Sequence, residues 1–147
     1  MQALELGGQF NAEKLLGFLT YLRSMGITTL YDACNSGMGG GGIMSEAALR
    51  DLILELEQGA INLYIHPMGD RSTHTILNAI EAADAGLDGT RQIGITLCHL
   101  GLVQDDDFER FAEVDVVASF TLQWHGGWID GAHYALGEEC FNKMFRV

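Results

Sequence analysis

Two apolar periodicities take turns along the chain, and they change over at Gly, Pro, Asn or Asp. Leu15, Leu16, Leu19 and Leu22 recur at helical spacing behind Asn11, which is placed to cap a helix, and Gly26 is placed to end it. Ile27 to Tyr31 is β-branched and aromatic, as a strand requires, and Asp32 stands at its end. Ser45 and Glu46 open a second helical pattern through Ala48, Leu49, Leu52, Ile53 and Leu56, closed by Gly59. Ile61 to Ile65 then reads as a buried strand that delivers His66 into a Pro67-Met68-Gly69-Asp70 break. Asp70 is expected to cap a third helix, from Arg71 to about Ala85, with Ile76, Leu77, Ile80 and Ala83 inward and Gly86 as its stop. Ile95 to Cys98 is a third strand, ending at His99. A fourth helix carries Phe108, Phe111 and Ala112 behind the acidic run Asp105 to Asp107, which suits the positive end of a helix better than a metal site. Val116 onward is strand-like towards His125, and a last helical stretch is expected around Ala135 to Phe145.

Helices and strands that alternate with short connections predict an α/β fold of parallel strands joined by right-handed crossovers. About four βα units are present in 147 residues, whereas a complete (β/α)8 barrel takes roughly 250. The expectation is therefore a partial, incomplete TIM-barrel-like array forming one domain over residues 1–147. Its outer strands would carry unpaired edges that favour self-association to complete the sheet. The segment from Cys34 to Met44 interrupts the alternation, because Gly37, Gly39, Gly40, Gly41 and Gly42 make it too glycine-rich for regular structure. It reads as a connector or lid, and the absence of a following Lys-Ser or Lys-Thr pair excludes a phosphate loop.

Parallel strands one βα unit apart would bring Asp32, His66, His99 and His125 to one rim, the end where such folds keep their chemistry. A single histidine at a strand end reads as a hydrogen-bonding residue, but its repetition on adjacent strands points to a shared task. Neutral imidazoles on rigid strand ends suit zinc and related divalent metals, which polarise carbonyls and lower the pKa of water. His66 and His99 are the candidate metal ligands and should form the closest strand-end pair. His125, within Trp124-His125-Gly126-Gly127-Trp128, could bind substrate or pack. Asp32 is a further rim residue that could be a ligand, a base or a cap, with the structural role favoured. Cys98, next to His99, should point to the other side of the strand and belong to the core. His74 and His133 fall in helical stretches and read as surface residues.

Charge narrows the partners. The formal net charge is −12 with only eight Lys and Arg, which argues against nucleic acid and against an anionic membrane surface. Cys34, Cys98 and Cys140 are odd in number and widely spaced, which fits neither a disulfide framework nor a zinc knuckle and favours a reducing, cytoplasmic setting. The N-terminus lacks a basic region followed by an apolar core, and no apolar run approaches about 18 residues, so neither secretion nor membrane insertion is expected.

Taken in order, His66-Pro67-Met68-Gly69-Asp70-Arg71, Ile80-Glu81-Ala82-Ala83, Cys98-His99-Leu100, Asp106 to Phe111, Ala118-Ser119-Phe120 and Leu136-Gly137-Glu138-Glu139 resemble the C-terminal half of the amidohydrolase superfamily. The amidohydrolase 3 branch, which includes N-substituted formamide deformylases and exoenzyme regulatory proteins, is the most similar, and Gly26 to Ala33 resembles its Gly-Ile-Thr-Thr strand. The resemblance implies that His66 and His99 are metal ligands at the ends of the fifth and sixth barrel strands. It also implies that Asp70 shapes the Gly-Asp turn and does not bind metal. The expected activity is metal-dependent hydrolysis of carbon–nitrogen bonds in small amide-type substrates. Three features depart from the pattern: no His-x-His pair occurs, no lysine lies between Asp32 and Ser45, and the sequence stops before the strand that carries the family's aspartate base. An incomplete centre with weak metal retention is one expectation, and a catalytically inactive remnant that associates through its sheet edges is the other.

Overall fold

The computed structural model describes residues 17–18, 20–21, 23–26, 44–67, 69–120, 137–139 and 141–144, and the backbone of 29–32. The first helical pattern and the last helical stretch fall partly, and the Gly37 to Gly42 segment wholly, outside these residues; within the last stretch 137–139 and 141–142 are helical. The strands β1 (Thr29–Asp32), β2 (Asn62–Ile65), β3 (Ile95–His99) and β4 (Val117–Phe120) form a parallel sheet whose spatial order follows the chain, β1-β2-β3-β4. All three pairings are parallel. A sheet wound in one direction has no switch point, so right-handed crossovers carry the connecting helices to one face. The result is an open, barrel-like α/β array.

Helix α1 (Glu46–Gly59) starts where its sequence signals it, since the Ser45 hydroxyl accepts from the Ala48 N–H at 3.2 Å. Its inward stripe of Leu49, Leu52, Ile53 and Leu56 is buried. Gly59 does not supply the left-handed stop: it is the last helical residue, and Ala60 takes φ 49°. The Ile61 N–H then returns to the Leu56 carbonyl, a closing bond that the helix end needs whichever residue turns.

Helix α2 (Asp70–Gly86) buries Ile76, Leu77, Ile80 and Ala83 as its pattern predicts. Its cap differs from expectation. Gly69, at φ 94°, is the N-cap, while Asp70 lies in the first turn with its carboxylate on the Arg71 N–H at 2.7 Å. The reversal between Pro67 and the helix needs a positive φ, which glycine adopts without a Cβ clash, so the cap position falls one residue early. Between these helices and the sheet lies the core, with Leu63, Ile65, Ile95 and Leu97 from the strands all nearly inaccessible.

The fourth helical pattern is only a 3-10 turn, Asp105–Asp107, followed by the short α3 (Arg110–Glu113). Asp107 is not an exposed cap. It is buried and accepts from Arg110 at 2.7 Å and from His74 Nδ1 at 2.9 Å. Arg110 also binds Glu81 and Asn78 of α2, so Asp107, the last residue of the acidic run, is an anchor between α2 and the approach to β4. Beyond α3, Val117 and Ala118 are exposed on opposite faces of β4. No described helix is long and apolar enough to cross a membrane.

The entry to β3 is fastened by two side chains. Glu57 accepts from the N–H groups of Gln92 and Ile93 at 2.9 and 3.1 Å, tying the end of α1 to the start of the strand. Arg91, only 6% exposed, pairs with Asp84 at 2.8 Å and donates to the Ile93 and Val114 carbonyls. Replacing Arg91 by Ala leaves a carboxylate and two carbonyls without their donor, and should cost about 2–4 kcal/mol of folding stability. Arg91→Lys should recover less than half, because an ammonium cannot reach three acceptors through one planar fork. Denaturant titration of the three proteins measures both effects.

Candidate functional site

The packed helix layer decides which strand residues face the site. Leu63 and Ile65 point into the core, so Tyr64 and His66 must point to the opposite face. On β3, Ile95 and Leu97 point inward and Thr96 and Cys98 share the face of His66. The register pairs Ile65 with Leu97, which brings His66 level with Cys98 one residue further on. Strands lie about 4.8 Å apart, and the His66 and His99 ring centroids are 4.4 Å apart at 50°. These are the histidines that the sequence singles out, at the same end of neighbouring strands.

Strict alternation would turn His99 back towards the helices, and it fails at that residue. His99 has φ 72°, and the Leu100 N–H bonds back to the Cys98 carbonyl at 3.0 Å. Together these are the marks of a γ-turn in its rarer, positive-φ form. Leu100 follows with φ 48° and is buried. The turn undoes the expected separation of Cys98 from His99. Ligand atoms of His66, Cys98 and His99 all lie within 4.8 Å of one another. Cys98 is buried, as expected, but it is not part of the helix–sheet apolar cluster.

Two shifts in acidity follow from this crowding. Burial, reinforced by the neighbouring His66, pulls the His99 pKa below its usual value of 6.5, so its imidazole is neutral at pH 7 with a lone pair to share. Burial pushes the Cys98 thiol up to about 11, against a smaller opposing effect of a backbone hydrogen bond. Its Sγ lies 3.2 Å from the Ile65 carbonyl, towards which the S–H points. Next to His66, the Tyr64 ring approaches edge-on at 6.2 Å, and its hydroxyl meets the Ser119 hydroxyl at 3.3 Å. Tyr64 thereby spans from β2 to β4 beneath the histidines.

Among the other sequence candidates, the structure describes the backbone of Asp32 and the side chains of Asp70 and His74. Asp32 ends β1 in register with Ile65, one residue before the level of His66. Asp70 is held in the first turn of α2 by its bond to Arg71. His125 and His133 lie outside the described residues. His74 is on α2, half exposed and paired with Asp107. Cys98 and Tyr64 were not among the candidates. Stepping back two residues from His66 finds Tyr64 by parity, but nothing in the sequence announces the γ-turn that re-aims His99.

The donor set fits a divalent ion. Ligand atoms of a four-coordinate zinc at bonds of about 2.0–2.3 Å lie roughly 3.4–3.8 Å from one another, and those of His66, Cys98 and His99 all lie within 4.8 Å of one another. The backbone at His99 carries a cost that a variant pair can expose. At φ 72° glycine should be preferred over alanine by about 1 kcal/mol. His99→Gly should therefore unfold at higher denaturant than His99→Ala, reversing the order expected inside a regular strand.

No family model and no curated protein matches the chain. Solved structures do. The crystal structure of an uncharacterized metal-dependent hydrolase from Pyrococcus furiosus matches 89% of the chain with a TM-score of 0.60 at 18% identity. That of an uncharacterized metal-dependent hydrolase from Pyrococcus horikoshii OT3 matches 88% with a TM-score of 0.58, also at 18% identity. The chain spans 32% and 31% of those two chains, about a third of their length. What the likeness establishes is the fold: the parallel βα array of this chain is one that metal-dependent hydrolases also possess.

Proposed function

We propose that the chain contributes part of the centre of a metal-dependent hydrolase acting on carbon–nitrogen bonds of small amide-type molecules, with His66 and His99 holding the divalent metal, zinc being the favoured ion. The observation that carries this reading is the meeting of two imidazoles at 4.4 Å on the same end of adjacent parallel strands. The fold shared with metal-dependent hydrolases supports the reaction class. The choice of carbon–nitrogen bonds rests on the amidohydrolase resemblance around His66-Pro67-Met68-Gly69-Asp70 and Cys98-His99.

A divalent cation bound there supplies Lewis acidity, drawing electrons from the substrate's electrophilic centre and making nearby water more acidic. The protein's own part is placement. Pro67 and Gly69 turn the chain directly after His66, while the γ-turn aims His99. The neutral state of His99 keeps a nitrogen lone pair available without first losing a proton. Tyr64 limits the movement of the His66 ring from one side. Two imidazoles are one short of the three protein ligands usual for catalytic zinc. The family's His-x-His pair and aspartate base have no counterpart in this sequence. We therefore assign no general base, and assign substrate contact only to His125.

Metal analysis after exhaustive dialysis against zinc at pH 7.5 or thereabouts tests the site. The wild-type chain should retain a divalent ion that a His66→Ala His99→Ala double variant does not, and equal contents would remove the assignment. Retention should fall as the pH is lowered, because protons compete for the ring nitrogens. Since burial and the neighbouring His66 depress the His99 pKa, protons should compete at that ligand only at lower pH than at an ordinary histidine. On the zinc-loaded chain, hydrolysis of esters or phosphates with none of N-substituted amides would reject the carbon–nitrogen assignment while leaving the metal site intact.

A further inference from the structure

We propose that Cys98 is a third ligand, so that His66, Cys98 and His99 form a two-nitrogen, one-sulfur site selective for borderline-soft divalent ions. The proposal rests on the metal reading of His66 and His99 and extends it to the composition of the centre and the kind of ion it selects. Three donor atoms from two adjacent strands lie within 4.8 Å of one another. Consecutive residues of a regular strand point to opposite faces, so Cys98 and His99 share a site only because His99 leaves the strand conformation at φ 72°. Cys98 is 3% exposed yet absent from the apolar cluster beneath the helices. Its Sγ is within reach of the Ile65 carbonyl, a weak interaction for so inaccessible a thiol.

The third donor changes the chemistry of the centre. Two imidazoles and a thiolate make up the three protein ligands usual for catalytic zinc, leaving one position for water or substrate. Sulfur also favours zinc and cobalt over magnesium, calcium or manganese, which prefer oxygen. Coordination replaces the S–H bond by a metal–sulfur bond and releases the proton to solvent, with no change of oxidation state. Cys98 then serves as a ligand and not as a nucleophile.

Cobalt(II) titration of the metal-free full chain tests the proposal, in a Cys34→Ser Cys140→Ser background so that Cys98 is the one thiol present. Visible cobalt bands report binding, and a near-ultraviolet sulfur-to-cobalt charge-transfer band reports a thiolate ligand. Both should appear, and Cys98→Ser should abolish the near-ultraviolet band and weaken binding by on the order of tenfold or more. Visible bands without the charge-transfer band would overturn the thiolate while leaving the histidine site standing. No difference in cobalt binding between this background and the same chain with His66→Ala and His99→Ala would overturn both. Should Cys98→Ser fail to fold, zinc protection of the unaltered Cys98 against alkylation, located by mass spectrometry, decides the matter. Protection that disappears in the double histidine variant supports the proposal, and an alkylation rate independent of zinc refutes it.

Discussion

Everything at the site depends on which face of β2 and β3 the helices cover. Leu63, Ile65, Ile95 and Leu97 lie under α1 and α2 with almost no solvent access. A one-residue slip of either strand would expose two of these side chains and bury polar ones instead. Burial of a Leu or Ile is worth about 1.5–3 kcal/mol, and a slip would forfeit several such terms at once. The parity that the apolar layer enforces therefore reaches residues it never touches. Tyr64, His66, Thr96 and Cys98 occupy the other face because their neighbours are committed to the core.

Parity alone does not build the cluster. It places His66 and Cys98 at one level and would send His99 away. The left-handed turn at His99 reverses that, at a backbone cost of roughly 1–2 kcal/mol for a residue with a Cβ. Such a cost persists only where surrounding structure holds it. Here Leu100 is buried directly after the turn, and His99 is in register with Phe120 of β4. The strained residue is thus gripped from both sides by packing and pairing.

Much of this was legible in the order of residues. The periods of α1 and α2, the Ser45 cap, the parallel strands and the meeting of His66 with His99 all follow from local patterns that agree with the tertiary arrangement. Where the reading failed, a backbone requirement had overridden a side-chain preference. Gly69 displaced Asp70 as the cap because the reversal needs a positive φ, and Ala60 took the left-handed position expected of Gly59. The run Asp105 to Asp107 looked like a helix start, yet Asp107 is buried on Arg110 and His74. That partnership spans 33 residues between Asp107 and His74 and has no local signature. Cys98 is buried as its position in the strand implies, but its separation from His99 rests on an alternation that ends at the very residue where β3 turns.

The fastening at the start of β3 gives the fold an uneven tolerance to changes in chain length. Glu57 holds Gln92 and Ile93, and the Asn62 side chain holds Gly94, so the strand's register is established downstream of the exposed Asp88-Gly89-Thr90 turn. Residues inserted in that turn would be absorbed as a longer surface excursion, leaving His66 and His99 in register. At the other end of the same strand, one residue inserted between Cys98 and Leu100 would break the bond that closes the γ-turn and swing the imidazole away from its neighbour. Within a few residues of β3 the chain thus passes from a place where an added residue is absorbed to one where a single codon gained would dismantle the cluster.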